Sequence, residues 1–153
     1  MLPYDNYFHN TTQVLSGAMG EKTVKDILTQ FGIKYKDWTK LREYKDLDIF
    51  DGNKVYRTQV KNTLTGSWVV EGGRGGDYYP YTKKIVDIMV LVYYQNCWVI
   101  PAEIWEQKAK GFHNMKVADC KRLFSEYHNN ISFKGCTEQL PAEDNLLHLF
   151  GRN

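Results

Sequence analysis

The chain of 153 residues carries 42 % apolar and 25 % charged side chains and a formal net charge of +2. These values fit one globular domain that buries roughly 70 % of its unfolded surface; the weak positive charge permits nucleic acid as a partner without arguing for it. No run approaches the ~18 apolar residues of a membrane span and MLPYDNYFHN has no signal-peptide pattern, so a cytoplasmic protein without membrane contact is expected.

In chain order, Val14, Leu15, Ala18, Val24, Ile27, Leu28 and Phe31 follow the three-and-four spacing of an amphipathic helix from about Thr12 to Phe31, with Gly32 as its stop. At about 100° per residue, Glu21 lies roughly 60° from Val24 and nearer to Leu28. A carboxylate at the margin of a buried stripe is costly unless a cation meets it. Glu21 is thus either a partly exposed acid whose stem packs on the core, or a metal ligand or water-positioning carboxylate. From Gly32 to Tyr44, Lys34, Lys36, Lys40 and Arg42 alternate with Tyr35, Trp38 and Tyr44. A strand near Ile33 to Tyr35 and a following loop are expected, forming either a surface for a nucleic-acid backbone or a solvated loop beside a half-buried Trp38.

Asp46 to Asn62, DLDIFDGNKVYRTQVKN, holds two alternating runs joined by Asp51-Gly52-Asn53, which reads as a β-hairpin. With the turn centred on Gly52 and Asn53, facing residue numbers sum to 105, so Asp46 sits across from Gln59 and Asp48 across from Arg57. Side chains alternate along a strand, which places Asp46, Asp48, Gln59 and Lys61 on one face. A carboxylate, an amide and an ammonium on one patch suit phosphodiester hydrolysis. The Asp46 carboxylate and the Val60 carbonyl can hold Mg²⁺, which takes oxygen ligands and keeps several waters. Lys61 then places positive charge where the transition state gains negative charge. Asp48 is the rival of Asp46, and a surface hairpin with a solvated Asp and Lys is the plain alternative.

Gly72, Gly73, Gly75 and Gly76 surround Arg74, which reads as a flexible arm whose Arg reaches a DNA groove. An ordinary hairpin between strands Ser67 to Glu71 and Tyr78 to Tyr81 is compatible with it. Asn62, Thr63, Lys83 and Lys84 flank this arm and join Lys34, Lys36, Arg42 and Arg74 as candidate DNA contacts. Ile85 to Tyr94 is a nearly continuous β-branched run, read as a central strand buried on both faces, with Asp87 at its entrance. Cys97 to Ile100 forms the next strand, and Pro101 opens a helix closed by Gly111. Further helices are expected at Ala118 to Tyr127 and Ala142 to Leu149; the LLHLF stretch either contacts a partner or docks on its own sheet. Cys97, Cys120 and Cys136 are widely spaced without a CxxC pair, so reduced thiols are expected rather than a disulfide framework or a standard zinc site. The 14 % aromatic content suits stacking and cores alike. His113 and His128 do not have the spacing of a His-Asn-His metal site, DYYPY is not a GIY-YIG core, and there is no nucleophile elbow.

Asp46, a thirteen-position step across a turn, and then Gln59-Val60-Lys61 resembles the motif of the PD-(D/E)XK nuclease superfamily, in the variant where Gln replaces the first acid of the second strand. Lys45 stands in place of the preceding proline of the motif, which is often missing in that family. GEKTVKDIL resembles the first-helix segment that carries a Glu in its resolvases and homing enzymes. The two segments together are most similar to group I intron homing endonucleases of this superfamily, as found in a cyanobacterial transfer RNA intron. The resemblance implies one nuclease domain over residues 1–153. Its α/β restriction-endonuclease-like core would span about residues 12–105, a mixed β-sheet flanked by helices, with a helical extension over 106–153. It implies catalytic roles for Glu21, Asp46, Gln59 and Lys61, and metal ligation by Asp46, Val60 and Glu21. Mg²⁺ is the implied cofactor, replaceable by Mn²⁺, with Ca²⁺ supporting binding without cleavage. The implied partner is double-stranded DNA, cut by a homo-oligomer, a tetramer or dimer. A Holliday-junction resolvase and a non-catalytic DNA-binding module on the same fold are the alternatives.

Overall fold

A computed structural model describes residues 9–37, 46–74 and 77–130, with side chains of the first helix described from Ala18 onward. Trp38, Lys40, Arg42, Tyr44, Cys136 and the expected helix at Ala142 to Leu149 lie outside the described residues, as does the side chain of Arg74.

The architecture is mixed α/β. Helix α1 (His9–Gln30) covers one face of a five-stranded sheet ordered β1-β2-β3-β7-β8. Its strands are β1 (Lys34–Asp37), β2 (Leu47–Asp51), β3 (Lys54–Thr63), β7 (Ile88–Tyr93) and β8 (Asn96–Pro101). All pairings are antiparallel except β3 with β7, which is parallel. Two small two-stranded sheets join β4 (Ser67–Val69) to β9 (Asn114–Lys116) and β5 (Glu71–Arg74) to β6 (Asp77–Pro80). Helices α2 (Ala102–Lys108) and α3 (Val117–Leu123) complete the described chain.

α1 stops as its sequence directs. Gly32, at φ 69°, donates to Thr29 and Ile33 donates to Leu28 at 2.8 Å, the paired closing bonds that a left-handed glycine makes possible. Val24 and Leu28 face the sheet and pack with Leu47, Ile49, Tyr56, Val60, Val90 and Val99. Gly20 lies against β3 so closely that a Cβ there would overlap that of Asn62. The missing side chain is what lets the helix approach the strand.

The Asp46–Asn62 hairpin has the register read from sequence: Leu47 pairs with Thr58 and Asp48 with Arg57. Gly52, at φ 62°, takes the first central position of the turn, the place a type II′ hairpin reserves for glycine. β7 is buried from Ile88 to Val92, as expected for an interior strand. It starts later than its β-branched run because Ile85 and Val86 both donate to the Thr82 carbonyl in a turn.

The expected single strand from Ser67 to Glu71 is instead broken at Val70. Trp68 pairs opposite Met115, donates its indole N–H to the Val92 carbonyl at 3.0 Å, and meets Trp98 edge-on. Glu71–Arg74 alone pairs with Asp77–Pro80, in a hairpin that glycine makes possible: Gly73 sits at φ 104° and a Cβ on Gly72 would overlap the Tyr79 ring. These glycines fit a packed backbone, not only a mobile arm. Of the three expected free thiols, Cys97 and Cys120 are free and buried. Among the described residues no helix is long and apolar enough to cross a membrane.

Candidate active site

β3 spans ten residues and β2 only five, so beyond the Leu47–Thr58 pair the β2 side of β3 has no neighbouring strand among the described residues. Asp46 occupies that gap. Its backbone N–H donates to the Thr58 carbonyl, and its carboxylate Oδ2 accepts from the Val60 N–H at 2.9 Å and from the Gln59 side-chain amide at 2.8 Å. The N–H and carbonyl of one strand residue point to the same side, so the Val60 carbonyl opens onto the same gap as the Asp46 carboxylate. Among the described residues it takes only a long contact, 3.4 Å, from the Gln59 amide.

Glu21 enters from α1, one residue past the close approach of Gly20 to Asn62. Burial and then the Asp46 carboxylate push its pKa up to about 7, with Lys25 opposing and Asp37 adding to the rise. Asp46 is itself raised by burial, against the Val60 N–H and Lys61. Lys61 is lowered by burial and held up by Asp46. Two desolvated carboxylates and one desolvated ammonium therefore share a small volume. Lys25 is ion-paired with Asp37 on β1 and acts on Glu21 and Asp46 through space.

The residues present fit a hard divalent cation. Burial raises the charging cost of both carboxylates and Asp46 adds to that of Glu21, beside the Val60 backbone carbonyl; a cation bound there would relieve it. Among the described residues no three His, Cys, Asp or Glu side chains gather into a ready cage. The donors on offer are thus Asp46, Glu21 and the Val60 carbonyl, with water completing the shell.

Asp48 shares the Asp46 face but stands elsewhere. It is 1 % exposed, between Lys36 of β1 and Arg57 of β3 in the strand register, inside the sheet rather than at the gap. Asp87 is structural by its contacts. Its carboxylate accepts from the Arg57 backbone and guanidinium, whose remaining N–H groups donate to the carbonyls of Lys83 and Lys84.

The candidate DNA contacts among the described residues lie on several elements. Lys34 and Lys36 are exposed on the edge strand β1, and Lys84 is exposed before β7. Lys83 pairs with Glu103 of α2 at 2.6 Å. Asn62 is half-buried under α1, and Thr63 is buried with its hydroxyl accepting from the N–H groups of Thr65, Gly66 and Ser67. Arg74 ends β5 at the hairpin tip.

Tyr81 is the site residue that sequence reasoning missed. It is 4 % exposed, and the Lys61 ammonium stands 5.1 Å from its ring centre. The alternation of Tyr79 and Tyr81 could have marked one strand face, but nothing in the sequence placed that face beneath Lys61.

No family model matches the chain, and no curated protein matches its sequence. Among solved structures, a bacterial homing endonuclease, I-Ssp6803I, matches with a TM-score of 0.52 at 16 % identity, over 90 % of this chain and 94 % of that one. At that identity the likeness is one of fold alone: a mixed α/β sheet flanked by helices.

Proposed function

We propose that the chain is a metal-dependent DNA endonuclease, of the site-specific homing type, that hydrolyses phosphodiester bonds in both strands of a duplex. One observation carries the reading: at the open end of β3, Asp46 accepts from Gln59 and the Val60 amide while Glu21 and Lys61 bring a second carboxylate and an ammonium beside it. Asp46, the Val60 carbonyl and Glu21, directly or through water, would hold Mg²⁺, which when bound supplies a Lewis acid for the phosphate and lowers the pKa of a bound water. Gln59 fixes the Asp46 carboxylate by its amide N–H. As an amide rather than an acid it adds no further negative charge, which favours one dominant metal per site. Water attacks phosphorus, the bond to the leaving oxygen breaks, and Lys61 offsets the charge gained by the phosphoryl oxygens or orients the attacking water. The desolvation of Lys61 strengthens that interaction, because a charge acts more strongly where water is excluded.

Two strands need two such sites, so the active form is a homo-oligomer, a dimer or tetramer, with symmetry matched to the duplex. The test is incubation of the purified protein with Mg²⁺ and a library of random duplexes, followed by sequencing of the ends. Recurrent ends with a shared sequence support the homing reading. Preferential cutting of four-way junctions over linear duplex would move the assignment to a junction resolvase, and tight binding without cutting of any DNA would refute an endonuclease.

A further inference from the structure

Among the described residues no hydrogen bond holds the Lys61 side chain. Its four-carbon stem has ample freedom, and among the described residues the ammonium forms no ion pair; Asp46 acts on it through space. The contact it does make is with the face of Tyr81, 5.1 Å from the ring centre, within the range at which a ring quadrupole attracts a cation. Tyr81 is held in turn. It is buried against Tyr79, with ring centres 5.7 Å apart at 67°. Tyr79 lies across Gly72, where any side chain would overlap its ring and hydroxyl. Gly72 and Tyr79 face one another in the β5–β6 hairpin, two residues from Arg74 at its tip.

We propose that Tyr81 is the positioning residue of Lys61. Its ring face holds the ammonium beside Asp46 but out of contact with it, and the Gly72–Tyr79 packing ties that hold to the β5–β6 hairpin. This rests on the nuclease reading of the site. An unheld lysine would fold onto Asp46 and neutralise the carboxylate that the cation needs; the ring gives it a second, weaker partner that leaves Asp46 free. The link to Gly72 explains why a glycine stands at a paired strand position, where the residue type is otherwise unfavourable.

The test compares Tyr81→Phe, which keeps the ring face, with Tyr81→Leu, which removes it. The first readout is independent of activity: in lysine-labelled protein, with Lys61→Arg used to assign the signal, the ε-methylene resonance of Lys61 is displaced upfield by the ring. It stays so in Tyr81→Phe and loses the displacement in Tyr81→Leu. The second is the single-turnover cleavage rate on a duplex recovered from the random library, with binding measured in Ca²⁺. Tyr81→Leu loses about 10- to 100-fold in rate at unchanged binding, the scale of a misplaced catalytic group, and Tyr81→Phe restores most of it. If Tyr81→Leu does not fold, Gly72→Ala, which displaces Tyr79 instead, is read the same way. Wild-type cleavage with an undisturbed rate and resonance in the variant overturns the role of Tyr81 alone. A wild type that cuts no DNA while showing the ring-shifted resonance overturns the nuclease reading and leaves the contact standing.

Discussion

Replacing Glu21 by Gln should stabilise the metal-free protein while weakening its response to Mg²⁺. The folded chain disfavours the Glu21 charge, because burial and the Asp46 carboxylate raise its pKa from 4.5 to about 7. At ~1.36 kcal/mol per tenfold change in proton affinity, that rise would amount to about 3 kcal/mol. Glu21 is only partly buried, so solvent screening reduces this to about 1–2 kcal/mol. The sign follows from the raised folded-state pKa: the contribution of Glu21 is fully present below about pH 4.5 and is lost as pH rises through about 7. Glu21→Gln should therefore match wild type near pH 4.5 and exceed it by about 1–2 kcal/mol at pH 8, in urea unfolding with EDTA at fixed protein concentration. Added Mg²⁺ should raise the stability of the wild type more than that of the variant, since a cation bound only by the folded state stabilises it by mass action. A variant less stable than wild type at pH 8 in EDTA, or a gain equal at both pH values, would refute the reasoning.

Asp46→Asn should remove the Mg²⁺-dependent stabilisation and cleavage. Asp48→Asn should instead cost about 1–3 kcal/mol of stability, because it disturbs a buried polar position within the sheet; urea unfolding and nicking on the two variants separate the cases. Gly20→Ala forces a methyl into Asn62, so despite about 1 kcal/mol gained in helix propensity it should destabilise by about 1–3 kcal/mol and slow cleavage by displacing Glu21. Asp87→Ala leaves the Arg57 guanidinium without its carboxylate across the β3–β7 junction and should cost about 3–5 kcal/mol. Calorimetric unfolding that shows no loss would contradict the clamp.

The hairpin was legible because two local signals agree. A glycine turn sets the register and alternation sets the faces, so the meeting of Asp46 with Gln59 follows once the turn is placed. Glu21 was legible as an acid at the edge of an apolar stripe, though its approach to Asp46 depends on Gly20, whose role is the absence of a side chain and leaves no periodic trace. β9 was invisible for another reason: three residues, Asn114–Lys116, become a strand only because distant Ser67–Val69 offers an edge. The same holds for Tyr81, whose ring matters through Lys61, twenty positions earlier in the chain. The glycines around Arg74 leave composition ambiguous, since flexibility and close packing both call for the same residue; Gly72 and Gly73 meet the second demand.

The most direct measurement is DNA cleavage by Lys61→Ala in Mg²⁺, set beside its DNA binding in Ca²⁺. Loss of cutting with binding largely intact is the predicted result, because the ammonium acts on the transition state and not on the bound duplex. Cutting at the wild-type rate by a folded Lys61→Ala protein would contradict the account.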